Sequence, residues 1–152
     1  MNATLAGTLI WSLDRAWRGA NLCRDRLAQD NTSHDVDYYA WEAVRIMKIA
    51  GKVVSSGLRG SPAIVDALAA LDMEAPGLKA FRDAVTHVED NRGADDIVYF
   101  AQAVRLRPNG GVEYVVDSRY RTHDLLAEVV RATAVALKTL APAPFDTMLD
   151  DP

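Results

Sequence analysis

Residues 4–29, TLAGTLIWSLDRAWRGANLCRDRLAQ, decide the fold class, because their apolar side chains recur every three or four positions. Such spacing places them along one side of an α-helix, as a narrow seam that Ile10 and Trp17 widen. The stretch therefore predicts one long helix that packs against another helix, in the same chain or in a second copy. The seam residues are Ala6, Leu9, Leu13, Ala16, Ala20, Cys23 and Leu27.

Further helices are predicted by the same periodicity and by residues that start or stop helices. We expect a second helix over about 36–54 and a third that starts at Ser61-Pro62, with serine as the cap. A fourth should cover about 76–91, and a last one should run from Thr122, as its cap, to about residue 140. These amphipathic segments predict a bundle.

The tryptophans and the cysteine fall on or beside these helical seams. We expect Trp11, Trp17 and Trp41 to be core or dimer contacts, because large aromatic rings are mostly buried. Cys23 fits the seam as a small buried residue with a structural role. As the only cysteine in the chain, it excludes an internal disulfide and a cysteine zinc site.

The pattern changes between the fourth and the last helix. Residues 97–106 and 112–117 are rich in valine, tyrosine and phenylalanine, and Pro108-Asn109-Gly110-Gly111 lies between them. This arrangement predicts an antiparallel β-hairpin over about 97–118. Since a lone hairpin is unstable in water, it should lie on the helices or pair with another copy.

Length and composition fit one globular domain, with 152 residues, 49% hydrophobic and 25% charged. We predict a mainly α protein: a bundle of four to five helices with one inserted antiparallel hairpin. The single domain should cover residues 1–141, and 142–152 should form a flexible tail. With no long apolar segment and no signal-peptide pattern, we expect no membrane contact and a cytoplasmic location.

Common cofactor and metal motifs are missing from the sequence, which has neither a phosphate-binding glycine loop nor a dinucleotide or zinc-protease motif. We therefore expect no cofactor and no metal site. The net charge of −4 excludes a protein that binds polyanions over its whole surface. It does not exclude a local basic face that binds nucleic acid.

Candidate catalytic residues lie close together in the stretch Phe81-Arg82-Asp83-Ala84-Val85-Thr86-His87. On a helix Asp83 and His87 lie one turn apart, so the carboxylate can orient the imidazole and favour its protonated form. Arg82 lies about 140° around the axis from His87, at ~100° per residue, and its long side chain can still reach a common cleft. A histidine that moves a proton and a guanidinium that stabilises charge on phosphorus suffice to cleave RNA without metal.

The spacing Arg82-Asp83-x-x-x-His87 resembles the motif of the HEPN superfamily of helical ribonucleases and toxins. The resemblance implies a homodimer in which both copies of this helix meet in a cleft. It also implies metal-independent endoribonuclease activity, often in toxin–antitoxin or phage-defence systems with an antitoxin-like protein partner. Arg82 and His87 would be catalytic, with Asp83 as their supporting residue. Glu89 stands where many toxin members have tyrosine, and the hairpin is not part of the common core.

A non-enzymatic function is the alternative hypothesis. The chain would then be an inactive HEPN-like module or an unrelated helical adaptor, which binds a second copy or a partner protein through the first-helix seam. In that case Leu9, Leu13 and Trp17 would form the interface.

A second candidate surface lies around the predicted hairpin and the start of the last helix. Its arginines and His123 could form a basic patch that binds phosphates, with Tyr114 and Tyr120 nearby to stack on a base. Alternatively, arginines on an edge strand keep a hairpin from aggregating. The candidate nucleic-acid-binding residues are Arg105, Arg107, Arg119 and Arg121.

Overall fold

The computed structural model describes residues 1–29, 33–74 and 119–141, together with Ala143, Phe145 and Leu149. These residues form four helices and, within the described ranges, no strand. The mainly helical fold class is thereby confirmed. The predicted helix over 76–91 and the predicted hairpin over 97–118 lie outside the described residues. The helices are α1 (Ala3–Gln29), α2 (Ser33–Ser55), α3 (Ser61–Glu74) and α4 (Arg119–Lys138).

Local hydrogen bonds explain where two of the helices begin. At the start of α1, the Asn2 side-chain oxygen accepts a hydrogen bond from the backbone N–H of Leu5 at 2.9 Å. This bond satisfies one of the free N–H groups of the first turn. The α2–α3 turn contains Gly57 and Gly60 at φ of 68° and 102°, which glycine adopts without strain. α3 then begins at Ser61, the predicted residue, and its first backbone bonds run from Ala63 and Ile64 to the Gly60 carbonyl. Ser61 was predicted as the cap, and this is wrong, because its hydroxyl donates to the Leu58 carbonyl at 2.7 Å instead of accepting from a free N–H group.

The start of the last helix differs from the prediction. Thr122 was expected to cap it, but the helix begins one turn earlier, at Arg119, and Thr122 lies inside its first turns. Its side chain is fully buried instead of facing the free N–H groups of a helix end. Threonine is compatible with both positions, so its residue type did not decide between a cap and a buried place on the helix.

Helices that follow one another along the chain run in opposite directions. Gly19 of α1 packs against the Glu42 side chain of α2, and Gly60, just before α3, lies beside Ala136 near the end of α4. From Gly60 to Glu74 the chain advances about 21 Å at ~1.5 Å per residue, and the same distance back along α4 from Ala136 leads to about Thr122. The end of α1, the start of α2, the end of α3 and the start of α4 therefore lie at one end of the bundle, here called the His123 end.

The seam of α1 is the centre of the intrachain core. Its described members are all buried and pack with apolar residues of the other helices in one cluster. Three of them are alanines, which let the helix backbones approach closely. The adaptor hypothesis placed its interface on Leu9, Leu13 and Trp17, and this placement is wrong because all three are buried within the chain. The buried seam residues are Ala6, Leu9, Leu13, Ala16, Ala20 and Cys23.

The other end of the bundle is covered in part by residues of the C-terminal tail. Phe145 and Leu149 are partly buried and pack against the core. A Cβ atom on Gly7 would come within 2.9 Å of the Phe145 ring, so the ring lies over the bare backbone of α1. Among the described helices, none is long and apolar enough to cross a membrane.

Replacement of Leu13 by alanine tests the assignment of the seam. Leu13 is fully buried, so we expect Leu13→Ala to lower the free energy of unfolding by about 2–5 kcal/mol in urea titrations followed by circular dichroism. Leu22→Ala is the matched control on the same helix, since Leu22 is 53% exposed, and should change it by less than about 0.5 kcal/mol. Equal effects of the two substitutions would contradict an intrachain seam.

Candidate functional site

Most of the site residues predicted from the sequence lie in the segment 75–118, outside the described residues. These are Arg82, Asp83 and His87 of the motif, and Arg105 and Arg107 of the basic surface. The segment leaves α3 after Glu74 and enters α4 at Arg119. Both attachment points belong to the His123 end of the bundle.

The remaining two arginines, Arg119 and Arg121, lie in the first turn of α4. They are therefore at the same end of the bundle as the two attachment points of the segment 75–118. Their contact with nucleic acid stays a prediction.

The described part of this end holds a buried network that joins three helices through His123. The imidazole of His123, on α4, stacks on the indole ring of Trp17 on α1, with centroids 4.6 Å apart and an angle of 19° between the planes. The Tyr39 hydroxyl of α2 lies 3.0 Å from Nδ1, and Oδ1 of Asn21 on α1 lies 2.8 Å from Nε2. His123 is 3% exposed. Each ring nitrogen thus has a partner inside the protein.

The partners of His123 fit its neutral form. An amide oxygen can only accept, so Nε2 carries the proton and donates it to Asn21, while Nδ1 accepts from the Tyr39 hydroxyl. Burial raises the pKa of Tyr39, which keeps its hydroxyl protonated and able to donate. All three side chains therefore have complementary hydrogen bonds, which removes most of the cost of burying them.

The pKa of His123 is lowered to about 4, first by burial, which disfavours the charged ring, and then by the positive charge of Arg24. The carboxylates of Asp124 and Asp25 oppose this shift. At neutral pH the ring is uncharged and both its nitrogens are occupied. His123 is therefore a structural residue, and its predicted place in an exposed basic surface is wrong.

Some buried polar atoms lack a hydrogen-bond partner among the described residues. They include Oγ1 of Thr122, beside His123, and Oδ1 of Asp72, near the end of α3. Where the structure describes the chain, no group of three or more histidine, cysteine, aspartate or glutamate residues could hold a metal ion.

A different surface is formed by the outward sides of α1 and α2. Trp11 and Trp41 were expected in the core or at a dimer contact, but both are about half exposed, so their placement in the core is wrong. Trp17 is buried as expected, and so is Cys23. The guanidinium group of Arg15 lies over the Trp11 ring, 5.0 Å from its centroid.

Glu42, next to Trp41 in the sequence, lies on the side of α2 that packs against α1. Its carboxylate contacts Gly19, and its Oε2 is 3.8 Å from an Arg45 nitrogen. Burial raises the pKa of Glu42, and the positive charges of Arg45 and Arg15 partly offset this rise. Trp41, Arg45 and Lys48 line a shallow depression beside it. The surface thus combines exposed aromatic rings with several cations around one partly buried carboxylate.

Two sequence patterns point to these features but were not used for prediction. Trp17 and Asn21 are four positions apart on the long first helix, which puts a polar amide beside an aromatic ring at the edge of the seam. Aromatic, basic and apolar residues also recur at helical spacing away from the core. These are Trp11, Arg15, Arg18 and Leu22 on α1, and Tyr38, Trp41, Arg45 and Lys48 on α2.

The neutral state of His123 predicts how stability depends on pH. Its pKa is about 4 in the folded protein, below the usual value of about 6.5, so protonation favours unfolding. We expect His123 to make its full contribution to the free energy of unfolding above about pH 6.5. This contribution should fall by on the order of 2–3 kcal/mol toward pH 4. Urea titrations across this range, compared with His123→Phe, isolate the effect, because the phenylalanine ring keeps the stack and does not titrate. If the unmodified protein and His123→Phe lost stability equally between about pH 6.5 and pH 4, the neutral buried state of His123 would be contradicted.

The hydrogen bond from Tyr39 can be tested against the neighbouring tyrosine. Tyr39→Phe leaves Nδ1 of His123 buried without a donor, so we expect the free energy of unfolding to fall by about 1–3 kcal/mol. Tyr38→Phe is the control, because Tyr38 is 64% exposed, and should change it by less than about 0.5 kcal/mol. Thermal or urea unfolding at pH 7 measures both. If Tyr39→Phe had the same free energy of unfolding as the unmodified protein, the hydrogen bond to His123 would not contribute to stability.

The described residues therefore include a buried histidine network at one end of the bundle and an exposed aromatic and basic surface along its side. The first fixes three helices in place. The second exposes aromatic rings beside cations. Comparisons of the chain with models of protein families, with curated proteins and with solved structures gave no match.

Proposed function

We propose that this chain is a metal-independent endoribonuclease of the HEPN type. The observation that carries the proposal is the spacing Arg82-Asp83-x-x-x-His87 in a chain whose described part is a helical bundle. The proposal includes a homodimer, RNA as the substrate and an antitoxin-like protein partner in a toxin or phage-defence system. It also includes a cytoplasmic location, where such a substrate is found.

The proposed reaction needs only the motif residues and the RNA itself. His87 takes the proton from a ribose 2′-hydroxyl, whose oxygen attacks the adjacent phosphorus as the bond to the 5′-oxygen breaks. Arg82 stabilises the negative charge that builds up on the phosphoryl oxygens. The protonated His87 returns this proton to the leaving 5′-oxygen as a general acid, so the products are a 2′,3′-cyclic phosphate and a 5′-hydroxyl. Asp83 orients the His87 ring.

The other histidines support the choice of His87 as the catalytic base. The chain has three histidines, and His123 is buried, neutral and engaged at both ring nitrogens. It cannot exchange protons with a substrate without breaking the network. Of the other two, His34 lacks the motif arginine five positions before it, whereas His87 has both the arginine and the carboxylate.

A binding module without enzymatic activity is the second candidate. Its support is the exposure of Trp11, Tyr38 and Trp41, since large exposed aromatic residues are common at interfaces. This candidate no longer involves the buried seam of α1. It places the interface on the outward sides of α1 and α2.

Cleavage of RNA in the presence of a metal chelator tests the proposed activity. We expect the purified chain to cleave unstructured RNA and to leave 2′,3′-cyclic phosphate ends. His87→Ala and Arg82→Ala should each reduce the rate by at least about 100-fold, because each removes a group that acts only on the reacting atoms. Asp83→Asn should have a smaller effect. Gel assays and mass spectrometry of the ends provide the measurement.

Two substitutions outside the motif serve as controls. His34→Ala and Arg131→Ala remove one histidine and one exposed arginine, and both should cleave at the unmodified rate. Circular dichroism should show that every variant keeps its helical content. Full activity in a folded His87→Ala protein would overturn the assignment, and no cleavage of several RNAs by the folded, unmodified chain would favour the binding module.

A further inference from the structure

Exposed aromatic and basic side chains recur on the outward sides of α1 and α2. We call this surface the aromatic–basic face and define it by Trp11, Arg15, Tyr38, Trp41, Arg45 and Lys48. On each helix these residues follow one another three or four positions apart, as do the core residues, but on the opposite side.

The aromatic rings of this face are open to solvent. Trp11 is 46% exposed, Trp41 53% and Tyr38 64%, whereas Trp17 and Tyr39 on the same two helices are buried. Tryptophan and tyrosine therefore occur both in the core of these two helices and on their exposed sides. Single exposed apolar residues are normal at a protein surface, but three large exposed rings on one pair of helices are unusual.

Glu42 connects the two halves of the face, because its side chain packs against Gly19 of α1. Arg15 stacks on Trp11 and acts on the Glu42 carboxylate from α1, while Arg45 approaches the same carboxylate from α2. Trp41 and Lys48 line the depression next to Arg45. The rings of Trp11 and Trp41 and the three cations therefore lie on adjoining parts of α1 and α2 around Glu42.

The positive charge of this face stands out in a chain whose net charge is −4. Arg15, Arg45 and Lys48 surround one carboxylate, that of Glu42, which is itself partly buried. Arg18 adds a further exposed guanidinium group nearby, although it is paired with Asp14 at 2.9 Å. A second copy of the same face would bring cation against cation, so the charge favours an anionic partner.

We propose that the aromatic–basic face binds single-stranded RNA, with Trp11, Tyr38 and Trp41 stacking on bases and Arg15, Arg45 and Lys48 contacting phosphates. Stacking platforms beside cations that follow the backbone are the usual design for single strands, because every base has a π-face. This proposal deepens the proposed function, on which it rests for the identity of its ligand. Binding at this face requires no cleavage.

Binding of a fluorescent 2′-O-methyl oligouridylate of about 20 nucleotides to the full chain tests this proposal by fluorescence anisotropy. The methyl groups block the 2′-hydroxyls, so the proposed nuclease reaction cannot consume this probe. We expect binding that weakens as salt is raised. The double substitution Trp11→Ala, Trp41→Ala should weaken binding by at least about 30-fold, because it removes two base stacks, each of which is expected to contribute about 5- to 150-fold.

A charge reversal has a closely matched control in the same chain. Arg45 and Arg131 are 45% and 49% exposed at their side chains, and each pairs with a glutamate three positions earlier. Arg45→Glu should weaken binding and reduce the slope of log affinity against log salt by about 1 or more, whereas Arg131→Glu on α4 should leave both near their original values. Equal effects of the two reversals would overturn the assignment.

The remaining outcomes separate this proposal from its rivals and from the nuclease. A polyglutamate peptide that binds the face more tightly than the oligonucleotide would assign the face to an acidic protein instead. If the oligonucleotide did not bind but RNA was still cleaved, the proposed binding site on the aromatic–basic face would be overturned and the nuclease proposal would stand. Binding that depends on Trp11 and Trp41, without any RNA cleavage, would support the face and overturn the nuclease.

Discussion

The stack and the two hydrogen bonds of His123 are the interaction on which the described fold depends. They join α1, α2 and α4 at one end of the bundle, through Trp17, Asn21 and Tyr39. A buried imidazole without partners would destabilise the fold, and a protonated one would be worse. Because donor and acceptor match only for the neutral ring, the network favours one arrangement of the three helices over others with similar apolar contacts.

This network lies at the end of the bundle where α3 ends and α4 begins. Glu74 ends α3 and Arg119 begins α4 at the His123 end, and the segment between them contains Arg82, Asp83 and His87. On the proposed function, the described helices support the active segment and, through the aromatic–basic face, hold the RNA.

Periodicity predicted the part of the fold that depends on local sequence. The seam of α1 and the burial of Trp17 follow from helical spacing, and the start of α3 follows from the glycines of the turn and from Pro62, although Ser61 does not cap the helix. Neither the exposure of Trp11 and Trp41 nor the burial of His123 could be predicted in this way. His123 bonds to residues 84 and 102 positions away in the sequence, and only tertiary packing brings such partners together.

The state of His123 is the central claim, and nuclear magnetic resonance of the histidine side chains tests it most directly. Long-range ¹H–¹⁵N correlation spectra distinguish a neutral ring protonated at Nε2 from the other tautomer and from the cation. The structure predicts that His123, identified by its loss in His123→Phe, stays neutral with the proton on Nε2 down to about pH 5. A cationic ring at pH 6, or a proton on Nδ1, would contradict the network and the helix arrangement built on it.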